Sequence, residues 1–197
     1  MDQKTVDAYD RNARELAAKF DDIGVRVADI HETFQLVKKS NPKVLEVGCG
    51  NGRDAQEILK YTDDYLGIDA SEQMICLAKE KIPQGNFRVA DMEGFEFPDN
   101  LDIVFAFASF LHASKESLKE ILHRILIVLN KGGAMRISLK YREKYEKVIK
   151  EDEFGNRIFY FYSPKDIEEM ARGFVVIKNE LYQKKNKTWL EILLQKT

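Results

Sequence analysis

The chain has 197 residues, a formal net charge of −2, 44% hydrophobic residues and 32% charged residues. These values describe one globular domain with enough apolar material for a core, exclude a disordered chain, and give no general attraction to nucleic acid or membrane surfaces. No apolar run approaches the roughly 18 residues of a membrane span, and Met1-Asp2-Gln3-Lys4 does not open a signal peptide. Cys49 and Cys76 have no metal-type spacing to each other or to His31, His112 and His123, so no metal site is expected, and two reduced thiols fit a cytoplasmic protein. From Lys131 onward 15 Lys and Arg stand against 10 Asp and Glu, a basic end that reads first as a solvated face.

In chain order, Val6, Tyr9, Ala13, Leu16, Ala17 and Phe20 mark a helix over 2–20, and Val27, Ile30, Phe34 and Val37 a second over 25–39, ended by Asn41-Pro42. Strand and helix then alternate. Lys43–Val47 reads as a strand, Asn51–Lys60 as a helix opened by a glycine turn, and Tyr65–Ile68 as a second strand. Ser71 caps a helix that runs to about Ile82 and stops at Pro83, and Phe87–Ala90 is a third strand. Leu101–Phe107 is a continuous apolar run, as in a central parallel strand covered on both faces. A helix over 115–129 capped by Ser114 follows, then the turn Asn130-Lys131-Gly132-Gly133 and a strand over 134–139. Residues 140–161 are charged and aromatic with no clean period. Ser163-Pro164 opens a helix ended by Gly173, and 174–182 and 188–194 form an antiparallel hairpin.

The sum is a doubly wound α/β sheet, in which ligands bind outside the carboxyl ends of the strands. Gly48, Asp69, Asp91 and Phe107 all fall at or just past such ends. Gly48, Gly50 and Gly52 give G-x-G-x-G, but Arg53 stands where a dinucleotide fingerprint needs a third glycine. Glu46 places negative charge before the loop, which suits a cation better than a pyrophosphate, and Asp69 suits two vicinal ribose hydroxyls.

These residues resemble the class I S-adenosylmethionine-dependent methyltransferases, and within them small bacterial-type members. The resemblance rests on Glu46 through Gly52, Asp69, Asp91-Met92, the strand entered by Asp102 and ending Phe107-Ala108-Ser109, and the turn at 130–133. It implies a Rossmann-like, seven-stranded sheet, mostly parallel with a C-terminal antiparallel hairpin and helices on both faces. The single domain would comprise a helical cap (1–40), a cofactor core (41–139), a substrate-side insertion (140–162) and a C-terminal helix and hairpin (163–197). It also implies S-adenosylmethionine as cofactor, with S-adenosylhomocysteine as product. Gly48, Cys49 and Gly50 would approach its amino-acid part, Glu46 would face its cationic end, and Arg53 would pair with its carboxylate. Asp69 would hold the ribose, Ala70, Asp91 and Met92 the adenine, and the Phe107 carbonyl the ammonium, with Tyr9 closing over the whole.

Such a cofactor carries an activated methyl group, so the protein mainly aligns the acceptor; a base is needed only if the acceptor must lose a proton. His112 is the candidate base, because it follows the fourth strand and titrates near neutral pH. Tyr141, Arg157 and Tyr160 in 140–161 are expected to face the acceptor, or else to belong to a solvated excursion with its aromatics in the core. A small-molecule acceptor is the leading expectation, with no membrane partner: no nucleic-acid module is appended, and Phe107-Ala108-Ser109-Phe110 stands where base methyltransferases hold a flipped base. The rivals are a protein or RNA methyltransferase reached through the basic end, a non-catalytic S-adenosylmethionine or S-adenosylhomocysteine binder, and a nicotinamide-dependent oxidoreductase.

Overall fold

A computed structural model describes residues 1–184 and 186–197. The expected alternation is present: β1 (Val44–Val47), β2 (Tyr65–Asp69), β3 (Phe87–Val89), β4 (Leu101–Phe107) and the start of β5 (Leu129–Tyr141) pair in parallel in the order β3-β2-β1-β4-β5. β4 is buried along its whole length, and its side chains alternate between two cores. Val104 and Ala106 pack on the side of α6 (Lys115–Val128) and α7 (Pro164–Met170), whereas Ile103, Phe105 and Phe107 pack on the side of α3 (Val27–Val37), α4 (Ala55–Ile58) and α5 (Glu72–Lys81).

Short polar side chains set the helix starts. Ser71 accepts from the Met74 amide at 3.1 Å, and Ser114 from the Ser117 amide at 3.2 Å. Ser163 and Asp166 bond reciprocally in a capping box. The helix expected over 2–20 is two, α1 (Gln3–Arg11) and α2 (Ala13–Asp21). It breaks at Asn12, whose amide group donates to the carbonyls of Ala8 at 2.8 Å and Phe154 at 3.0 Å.

Two corrections bear on the site. The helix expected over 51–60 shrinks to Ala55–Ile58, because the Asn51–Asp54 segment stays in turns after the glycine loop. Among the described residues the sheet has nine strands rather than seven. The segment without a period is itself a hairpin, β6 (Glu146–Asp152) with β7 (Gly155–Tyr162), and both of its faces carry aromatics, which hides the alternation. β5 pairs with β4 as far as Phe107–Ser138 and then runs on, and β7 takes the same edge at Lys140–Phe161. The hairpin therefore stands over the carboxyl end of β4. On its other edge β5 pairs with β9 (Lys187–Lys196), which pairs antiparallel with β8 (Phe174–Lys184), as the sequence pattern predicts.

Candidate active site

The carboxyl ends of β1, β2, β4 and β5, roofed by β7 and α1, enclose a cavity of about 350 Å³, within the size range of small-molecule sites. Its floor is the glycine loop. Gly48 has φ +74°, and a Cβ there would lie 2.2 Å from the Cβ of Ser109, so β1 and the β4 end can meet only at glycine. Gly50 has φ +54° and nothing within 4 Å of its missing side chain: the loop bares its backbone to the cavity. The Asp69 carboxylate fastens this loop, accepting from the Gly50 amide at 2.9 Å through one oxygen and from the Ser71 amide at 2.9 Å through the other. Burial raises its pKa, and those two amides offset part of the rise.

Glu46 is buried on β1 and accepts from the Tyr65 hydroxyl at 2.6 Å. Burial, with the Asp54 carboxyl nearby, pushes its pKa well up, while the Tyr65 hydroxyl and the Arg26 guanidinium pull the other way. Asp54 is held by the Arg26 amide at 3.0 Å and its guanidinium at 2.8 Å, and also by Arg53. Arg53 spends its terminal nitrogens on Asp54 and the Phe20 carbonyl, while its buried Nε has no partner among the described residues.

At the opposite end His112 lies in a single 3-10 turn, Phe110–His112, after β4. Its Nδ1 donates to the Ile158 carbonyl at 2.7 Å, which leaves Nε2 to accept from the Tyr9 hydroxyl at 2.9 Å. Burial foremost, reinforced by the charges of Lys140 and Arg157, lowers His112 to about 4, so the ring is neutral at pH 7. Burial raises Tyr9 to about 12. As a base His112 can act only once the Tyr9 hydroxyl turns away.

Of the residues singled out from sequence, Tyr9, Glu46, Gly48, Cys49, Gly50, Arg53, Asp69, Ala70, Met92, Phe107, His112 and Arg157 all border this cavity. Asp91, Tyr141 and Tyr160 do not. Asp91 turns outward to the Met1 ammonium and the Glu93 amide. Tyr160 stacks on Tyr145 at 5.9 Å on the far face of the hairpin, and Tyr141 packs against the core on the α6 side. The neighbours Phe159 and Lys140 face the cavity instead: strand parity places Arg157 and Phe159 on one side and Tyr160 on the other. Arg26, Asp54, Lys140, Tyr182, Lys187 and Trp189 also border the cavity and are not among the site residues singled out from sequence. Asp54 directly follows Arg53 in the glycine-loop segment, whereas long-range strand pairing and α3 bring in the others.

Residues 44–133 match a family model described as a methyltransferase domain. A protein named as an uncharacterized methyltransferase from Bacillus cytotoxicus is 30% identical over 118 residues, covering 58% of this chain and 56% of the relative, so the match spans little more than half of that protein. Among solved structures, a SAM-dependent methyltransferase from Methanosarcina mazei superposes with a TM-score of 0.73 at 16% identity over 85% of this chain and 96% of that one. The 1,6-didemethyltoxoflavin-N1-methyltransferase of Burkholderia thailandensis, solved with 1,6-didemethyltoxoflavin and S-adenosylhomocysteine, superposes with a TM-score of 0.77 at 15% identity over 98% of this chain and 87% of that one.

Proposed function

From a core, residues 44–133, that matches the methyltransferase-domain family model, we propose that the chain moves a methyl group from S-adenosylmethionine to a small-molecule acceptor. The observation that carries the reading is the pairing of Asp69 with Glu46 across the bared glycine loop. One is a carboxylate fastened by two amides at a strand tip, and the other a buried carboxyl that accepts from the Tyr65 hydroxyl. The residues fit the cofactor. The space beside Gly50 is open, and the unpartnered Nε–H of Arg53 is a donor in want of an acceptor such as an amino-acid carboxylate.

The sulfonium nucleoside supplies the activated methyl group. Asp69 has lone pairs left for the two ribose hydroxyls after its amide bonds. Ala70 and Met92 flank the adenine side, and the Gly48–Gly50 backbone meets the amino-acid part. Glu46 faces the cationic end of the cofactor, where a neighbouring positive charge stabilises its carboxylate. Tyr9, from α1, and the β7 edge cover the acceptor end and keep water from the reacting atoms. His112 takes a proton from the acceptor where one must leave, once Tyr9 has turned. A dinucleotide reading is weakened by the four-residue α4, which offers no helix N-terminus to a pyrophosphate, and by Asp54 just before it.

Titration with S-adenosylhomocysteine, followed by calorimetry, tests this. The wild type is expected to bind it, and Asp69→Ala to bind roughly tenfold or more weakly, the worth of lost hydrogen bonds to a charged group. Binding of NAD with no response to S-adenosylhomocysteine would overturn the assignment.

A further inference from the structure

The acceptor end of the cavity is cationic, and its charges are poorly matched. Lys140, near the end of β5, places its Nζ 3.3 Å from the centroid of the Phe159 ring and makes no ion pair among the described residues. Lys150 on β6, Arg157 on β7 and Lys187 at the start of β9 face it from the three strands packed around it, and His112 approaches from the 3-10 turn. One carboxylate, Asp152, acts on Lys140, and it is already shared by Lys150 and by Arg157 at 2.6 Å. Arg157 is 6% exposed, and its Nε has no partner among the described residues. Phe159 and Trp189 supply flat apolar wall beside these donors.

A desolvated lysine among like charges and a buried guanidinium N–H with nothing to donate to both cost free energy in the empty protein. Both costs are relieved by one kind of ligand. We propose that the methyl acceptor is an anion with a flat apolar body, its acidic group (a carboxylate, or an ionised phenol or enol) received between Lys140 and Arg157 and its body lying against Phe159 and Trp189. This rests on the methyltransferase reading and names the class of molecule at the acceptor end. The cofactor end lies at β1 and β2, on the far side of β4, so the two ends of the cavity separate in mutants. Burial and the neighbouring cations lower Lys140 to about 7, so an entering anion draws a proton onto it and binding weakens as pH rises above that value.

The test uses benzoate and its neutral isostere benzamide as probes, titrated by calorimetry into the full chain saturated with S-adenosylhomocysteine. Benzoate is expected to bind and benzamide to bind roughly tenfold or more weakly. Lys140→Met, a near-isosteric change that removes a costly charge, should lose benzoate by roughly ten- to hundredfold while S-adenosylhomocysteine binds as before, and Lys140→Arg should retain most of it. The exposed Lys187→Ala should cost only a few-fold, as expected for a charge at the rim. Absence of benzoate binding, equal binding of benzamide, or unchanged benzoate affinity in Lys140→Met overturns the proposal. Failure of the wild type to bind S-adenosylhomocysteine is a separate result, which strikes the cofactor reading instead.

Discussion

His112 should make the protein acid-labile by a calculable amount. In the folded chain its pKa is about 4, and in the unfolded chain about 6.5. Between those values the unfolded chain binds a proton that the folded chain refuses, so stability falls as pH falls through that window and is fully present above it. At 1.36 kcal/mol per pH unit the whole displacement amounts to about 3 kcal/mol, of which about 2.5 kcal/mol is lost by about pH 4.5. The physical origin is burial of the ring, which withholds water from an imidazolium, reinforced by the charges of Lys140 and Arg157; the bond from Nδ1–H to the Ile158 carbonyl opposes the shift without cancelling it. The assay is urea unfolding at about pH 7.5 and about pH 4.5, read from the fluorescence of the single tryptophan, Trp189. His112→Asn keeps a donor for the Ile158 carbonyl and cannot titrate. Carboxylates that protonate in both proteins cancel in the comparison, leaving the wild type with the extra loss of about 2.5 kcal/mol. Equal losses in the two proteins would refute the reasoning, for His112 would then not be held neutral by burial.

The glycine loop separates stability from binding. Gly48→Ala meets Ser109 at 2.2 Å and disturbs the bond from the Ser109 hydroxyl to the Val47 carbonyl at 2.6 Å. Roughly 3 kcal/mol or more should be lost, measured by urea midpoint. Gly50→Ala meets no atom within 4 Å, so its stability cost is the positive φ alone, about 1–2 kcal/mol, but its methyl group enters the cavity. S-adenosylhomocysteine binding should therefore fall further than stability. Arg136 is buried and gathers Asp29 at 2.7 Å, Glu32 at 2.7 Å and Glu191 at 2.5 Å. Arg136→Ala should cost about 3–5 kcal/mol at neutral pH. Less should be lost at low pH, since burial already raises the Glu191 pKa and its protonation removes the uncompensated charge.

The half of the site proposed to hold the cofactor is legible in sequence because each of its parts is local. A strand, its glycine turn and the acid at the next strand tip are set by neighbours a few residues away. The helix caps at Ser71, Ser114 and Ser163 likewise need only the next turn of chain. The acceptor half is of another kind. Whether Phe159 or Tyr160 faces the cavity depends on the register of β7 against β5, and a slip of one residue exchanges them. With aromatics on both faces of the hairpin, no hydrophobic period announces that register. Lys140 reads as an ordinary lysine at a strand end until β9 brings Lys187 and Trp189 beside it from nearly fifty residues away. Asp54 and Arg26 meet only because α3 packs beside the glycine loop. Periodicity, capping and turn chemistry thus specify the alternating sheet and the glycine-loop end of the cavity. Which side chains line the proposed acceptor end, and how their charges go unmatched, is set only on folding, because burial and charge pairing arise from strands that meet there.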